Sequence, residues 1–124
     1  MLQPITALII PPTGPGQLGP LDQDLRTLQG IVGGYIEAVY SMHDEHGNPQ
    51  VVIWCNEDGK LQELPLNRRA TALWYALNGG PTGDTLCGTV ILTGGADEDG
   101  DMLPVPELLA DLWRDIAADP RSDA

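Results

Sequence analysis

Tyr35-Ile-Glu-Ala-Val-Tyr40 and Val51-Val-Ile-Trp-Cys55, joined by the polar stretch from His43 to Gln50, decide the fold of this chain. The first run is rich in β-branched and aromatic residues, and its one charge, Glu37, shares a face with Tyr35 and Val39. The second is apolar throughout, as a strand covered on both faces is. Gly47-Asn48-Pro49 supplies a turn, so the two runs predict a β-hairpin. Asn56-Glu-Asp-Gly59 is a second tight turn, and Leu61 to Leu64 reads as a further short strand.

Upstream, Ile5 to Ile10 is an apolar run that reads as a buried strand. Residues 11–20 follow, seven of the ten being Pro or Gly, which predicts a loop. Leu21, Leu25, Leu28 and Val32 then recur at helical spacing, with Asp22 and Asp24 in the first turn and Gly33-Gly34 as the stop. Downstream, Asn67 reads as the N-cap of a helix with Ala70, Leu73, Trp74 and Leu77 on one side, closed by Asn78-Gly79-Gly80-Pro81. Cys87 to Thr93 is the last strand, and residues 94–103 form an acidic loop. Pro106 opens a final helix with Leu108, Leu109, Leu112, Trp113 and Ile116 on one face, turned to the sheet, and residues 118–124 read as a disordered tail.

The expected class is a single α+β domain spanning residues 1–124, with a four- to five-stranded, mainly antiparallel sheet in the order β-α-β-β-α-β-α. That order admits a ferredoxin-like core, in which strands one and three are central. It places the first two helices on one face of the sheet and the last helix on the other.

Composition narrows the function. With 42% apolar residues the chain is too hydrophobic to be disordered. No segment approaches the ~18 apolar residues of a membrane helix, and the first residues lack a signal-peptide pattern, so a cytoplasmic protein is expected. Six basic against 18 acidic residues give a net charge of −12, which disfavours direct binding of nucleic acid or anionic lipid. Thr93 to Ala124 holds nine of the carboxylates and two arginines. Cys55 and Cys87 read as buried thiols, and whether they pair is left open, since a disulfide needs Cα atoms within about 7 Å.

Several motifs invite chemistry. Gly14-Pro-Gly16-Gln-Leu-Gly19 is a G-x-G-x-x-G, with Glu37 in the place of a ribose-binding acid. The spacing from the strand is too long, and a hairpin follows in place of a βα unit, so no dinucleotide and no other cofactor is expected. Asp97-Glu-Asp99-Gly-Asp101 opens like a calcium loop, but Met102 and Leu108 stand where glycine and the bidentate Glu belong. A solvated acidic turn is the preferred reading, with weak divalent-cation binding as the alternative. His43-Asp-Glu-His46 lacks partners for a zinc site. Ser41 and Ser122 are the only serines and neither lies in a nucleophile elbow, so no catalytic constellation is found and an enzyme is not expected.

Leu28-Gln-Gly-Ile-Val-Gly-Gly-Tyr-Ile-Glu37, Asn56-Glu-Asp-Gly-Lys-Leu61, Leu64-Pro-Leu-Asn-Arg-Arg-Ala-Thr71 and Gly88-Thr-Val-Ile-Leu-Thr-Gly94 together resemble the small proteins of domain-of-unknown-function family 3846, common in actinobacterial phages and mobile elements. Within those motifs Gly33, Gly34, Glu37, Asn56, Gly59 and Asn67 stand out. The resemblance brings no assigned activity and no catalytic residue. It implies a phage or mobile-element accessory protein acting inside a bacterial cell, and so a binder that modulates a host protein. Glu107, Asp111 and Asp115, at four-residue spacing on the last helix, are the candidate partner surface. The alternative is a small anionic ligand or nucleotide signal held by Asn67, Arg68, Arg69 and Thr71 at a helix start. Homo-oligomerisation stays open.

Overall fold

The computed structural model describes residues 3–118. In chain order its elements are β1 (Ile5–Ile10), β2 (Gln17–Leu21), α1 (Leu25–Val32), β3 (Ile36–His43), β4 (Pro49–Asn56), α2 (Arg68–Leu77), β5 (Val90–Thr93) and α3 (Glu107–Ala118). The five strands form one antiparallel sheet in the order β2-β1-β5-β4-β3. The α+β class, the hairpin and the antiparallel sheet are as the sequence predicts.

The order of elements is not. The second half of the Pro/Gly-rich stretch is strand β2, paired to β1 from Ile5 opposite Leu21 to Ile9 opposite Gln17. Pro20 is tolerated there because β2 is an edge strand, where a missing donor can face solvent. Leu21 is therefore a buried strand residue, and α1 begins later, capped by Asp24, whose carboxylate accepts the Arg26 N–H at 3.1 Å.

Nor is the sheet ferredoxin-like. β5, only four residues and all buried, lies in the centre between β1 and β4, so the first strand and the second hairpin strand do not touch. Its one polar side chain, Thr93, is satisfied internally: the hydroxyl donates to the Gly94 carbonyl at 2.9 Å and accepts the Trp54 indole N–H at 3.0 Å. The Leu61 to Leu64 strand is also absent. Residues 58–64 form a helical turn in which Gln62 N–H reaches the Asp58 carbonyl and Leu64 N–H that of Gly59, with Leu61 84% exposed.

Strand alternation sorts the core into two layers. Leu8, Ile10, Val51, Ile53, Val90 and Leu92 face a layer containing Ala70, Leu73 and Trp74 of α2 with Leu109, Ala110 and Trp113 of α3. Ala7, Ile91 and Trp54 face the opposite way, against Leu28 and Val32 of α1. Thus α2 and α3 share one face and α1 takes the other, in place of the expected pairing of the first two helices. Ala118 closes α3, and the rest of the expected tail, with Ser122, lies outside the described residues. Among the described residues no helix is long and apolar enough to cross a membrane.

Candidate functional site

Five of the six motif residues meet at two structural joints, and Glu37 lies apart on β3. At the first, Gly33 ends α1 at φ +82°, a left-handed conformation that glycine adopts freely. Gly34 follows so close to Asn56 that a Cβ there would lie 2.9 Å from its Nδ2. Asn56 is buried; its Nδ2 donates to the Val32 carbonyl at 3.2 Å and to Gln62 Oε1 at 3.3 Å, while its Oδ1 accepts the Asp58 N–H at 2.8 Å. Gly59 sits where a Cβ would be 3.2 Å from the Cys87 carbonyl. This joint welds the end of α1 to the turn after β4.

The second joint is Asn67. Its side chain is 0% exposed, donating from Nδ2 to the carbonyls of Ile10 and Gly88, both at 2.9 Å, and accepting the Ala70 N–H at 3.1 Å as N-cap of α2. The buried Thr71 hydroxyl donates to the Asn67 carbonyl at 2.7 Å and accepts the Leu86 N–H at 3.0 Å. Arg69 turns back to the carbonyls of Pro11, at 2.8 Å, and Gly14. Of the four residues expected to hold an anion, only Arg68 is exposed, and the polar atoms of Asn67 and Thr71 are engaged inside the fold. The expected anion site is not assembled, because its side chains serve the joint between β1, β5 and α2.

The glycine motif is likewise structural. Gly19 lies inside β2, so no helix starts where a pyrophosphate would need one, and Gly16 lies under Trp113, whose ring would be 2.5 Å from an added Cβ. In the hairpin turn, Asp44 accepts the N–H groups of His46 at 2.8 Å and Asn48 at 2.9 Å. The Asn48 amide, foremost among these, holds its carboxyl below the usual range. In the acidic loop the Asp97 carboxylate accepts the N–H groups of Asp99 at 2.8 Å and Asp101 at 2.9 Å, and carboxylate oxygens of all three fall within 4.8 Å of one another. Ser41 is buried, and its hydroxyl has no hydrogen-bond partner among the described residues.

Three surface features of the described residues bear on binding. A cleft of about 280 Å³ opens beside β3, lined by Glu37, Cys55, Glu57, Lys60, Asp84 and Cys87 with Trp74 among its walls. Lys60 pairs with Asp84, and Tyr75 donates to the Asp84 carbonyl. Both cysteines are free thiols, and burial, reinforced by Glu37, pushes Cys55 up to about 11, so it stays protonated near neutrality and is a poor nucleophile there. The second feature is a broad groove of about 840 Å³ between the hairpin turn and the acidic loop, whose lining includes Asp44, Asp97, Glu98 and Glu107.

The third is α3. Leu109, Ala110 and Trp113 enter the core, whereas Leu108 (77% exposed), Leu112 (46%) and Ile116 (37%) stay outside. At 100° per residue these three form a stripe beside Glu107, Asp111 and Asp115, which are also exposed. The sequence located the acids but assigned the leucines to one buried face; that face is too wide for one helix to bury, and it splits. Arg114 pairs with Asp111 at 3.0 Å.

Among the described residues, these features define an antiparallel α+β fold of three helices and five strands with an acidic, partly apolar surface. The chain belongs to the family described as "Domain of unknown function (DUF3846)", whose model matches residues 5–117. No curated protein and no solved structure matches it.

Proposed function

We propose that this chain is a non-enzymatic binding protein that engages a basic host protein through α3 and the acidic groove beside it, as an accessory factor of a phage or mobile element. One observation carries the reading: α3 anchors one side in the core and presents Leu108, Leu112 and Ile116 next to Glu107, Asp111 and Asp115. Apolar area supplies affinity that does not vanish in salt, and the acids steer a cationic partner. Glu107 continues the acidic row into the groove with Asp97 and Glu98. The alternative of a small anionic ligand loses its support, since three of its four residues are tied into the fold.

The test is affinity capture from bacterial lysate with the wild type and two variants, Glu107→Gln/Asp111→Asn/Asp115→Asn and Leu108→Ser/Leu112→Ser. A shared partner retained by the wild type and lost by both variants, each with an unchanged melting temperature, is expected. Capture indifferent to both would reject α3 as the surface.

A further inference from the structure

The two edges of the sheet differ. β2 is five residues long and carries Gly19 and Pro20, which blunt it against further pairing. β3 is eight residues long, with neither Pro, Gly nor Lys between Ile36 and His43, and only β4 beside it. Its hydrogen-bond phase is fixed by Tyr35, whose carbonyl accepts the Glu57 N–H at 2.8 Å. In an antiparallel ladder the phase alternates, so odd-numbered residues of β3 bond to β4 while the N–H and C=O groups of Ile36, Ala38 and Tyr40 point away from the sheet.

Each face of the sheet has a hollow that reaches this edge strand. On the α2 face is the cleft of about 280 Å³ next to Glu37 and Val39. On the α1 face Tyr40 alone brings β3 to a hollow of about 270 Å³ that extends inward over Val52 and Trp54 of β4 to Gly94 and Met102. Side chains of an added strand alternate between faces with the same period, so successive residues would enter one hollow and then the other. The first hollow carries Glu37 and Glu57, both exposed and in no ion pair among the described residues. The second is walled by aromatic and aliphatic groups. The occupant that matches is an extended segment alternating basic and apolar residues.

We propose that β3 is a strand-acceptor edge, and that it takes an extended, basic segment of a partner protein as a sixth strand, with Arg or Lys at Glu37 and Glu57 and an apolar side chain against Tyr40 and Trp54. This surface includes no residue of α3, and its second hollow adjoins the acidic groove through Pro49, Gly95 and Ala96. A second copy of the chain fits less well, because β3 has no basic residue besides His43 to place against Glu37, and both copies carry a net charge of −12.

The probe is a synthetic eight-residue peptide alternating Arg and Val, titrated into the full chain and followed by amide hydrogen exchange and NMR. Binding should protect the amides of Ile36, Ala38 and Tyr40 selectively. N-methylation of every second peptide amide, and Glu37→Gln/Glu57→Gln in the protein, should each weaken binding by about tenfold or more, since the first removes edge hydrogen bonds and the second the countercharge. Ala38→Pro removes one outward donor at an edge position that tolerates proline, and should abolish protection. If that variant unfolds, the methylated peptide decides alone. The Glu107/Asp111/Asp115 variant should bind the peptide as the wild type does, so failure here and failure at α3 are separable. Binding without protection of the three amides, or insensitive to N-methylation, overturns the proposal. So does protection of the same amides without peptide that grows with protein concentration, which would make the occupant a second copy.

Discussion

Asn67→Ala would remove three hydrogen bonds from a side chain with no solvent exposure. Loss of the N-cap costs about 1 kcal/mol. The carbonyls of Ile10 and Gly88 lose a donor where water cannot replace it, at about 1–2 kcal/mol each. The sum, about 3–5 kcal/mol, is a large part of the ~5–15 kcal/mol that holds a domain folded. Asn67→Asp separates the roles. It keeps the capping oxygen and gains about 0.3–1 kcal/mol from the helix dipole, yet turns an oxygen toward the two carbonyls. We expect Asp to destabilise at least as much as Ala at neutral pH. The deficit should shrink on acidification, because a protonated carboxyl can donate to one of the carbonyls. Urea unfolding gives both numbers, provided the dependence on denaturant is unchanged. If Asp matches or exceeds the wild type, Asn67 is merely a cap and the joint does not exist.

Trp113→Ala should cost about 3–5 kcal/mol, since the ring is 4% exposed in the α3 layer. Gly16→Ala should be costly in the wild type, where the added methyl meets the indole, and close to neutral in Trp113→Ala; additive costs in a double-mutant cycle would refute that contact. Alkylation of the native protein near neutral pH should label the half-buried Cys87 and spare Cys55, which is buried and protonated; equal labelling by peptide mass analysis would contradict the burial. Glu63, at φ +55°, should accept glycine with a gain of up to about 1 kcal/mol, read as a rise in melting temperature.

The hairpin, the α2 cap and the α1 stop at Gly33 were legible because each rests on local chemistry: alternation, a side-chain oxygen, a left-handed glycine. β2 was not, since Pro and Gly signal a loop by composition, and only the pairing partner β1 turns Gln17 to Leu21 into a strand. Leu21 and Leu25 then appeared to continue the helical period, although Leu25 proves 55% exposed. The central place of β5 and the side chosen by each helix depend on contacts far apart in the chain, which periodicity does not encode. At the surface, the acids of α3 were legible by spacing. The anion site failed for the same reason as the sheet order: Asn67 reaches carbonyls 57 and 21 residues away. The open edge of β3 could not be seen until the order of strands was known.

The most direct measurement of the proposed binding function is the association and dissociation rates of a captured partner at about 0.05 M and about 0.5 M salt, across which screening of surface charge becomes nearly complete. Neutralising Glu107, Asp111 and Asp115 should slow association at low salt and matter little at high salt. Leu108→Ser/Leu112→Ser should speed dissociation at both. Association rates that ignore salt and all three acids would contradict a charge-steered surface on α3.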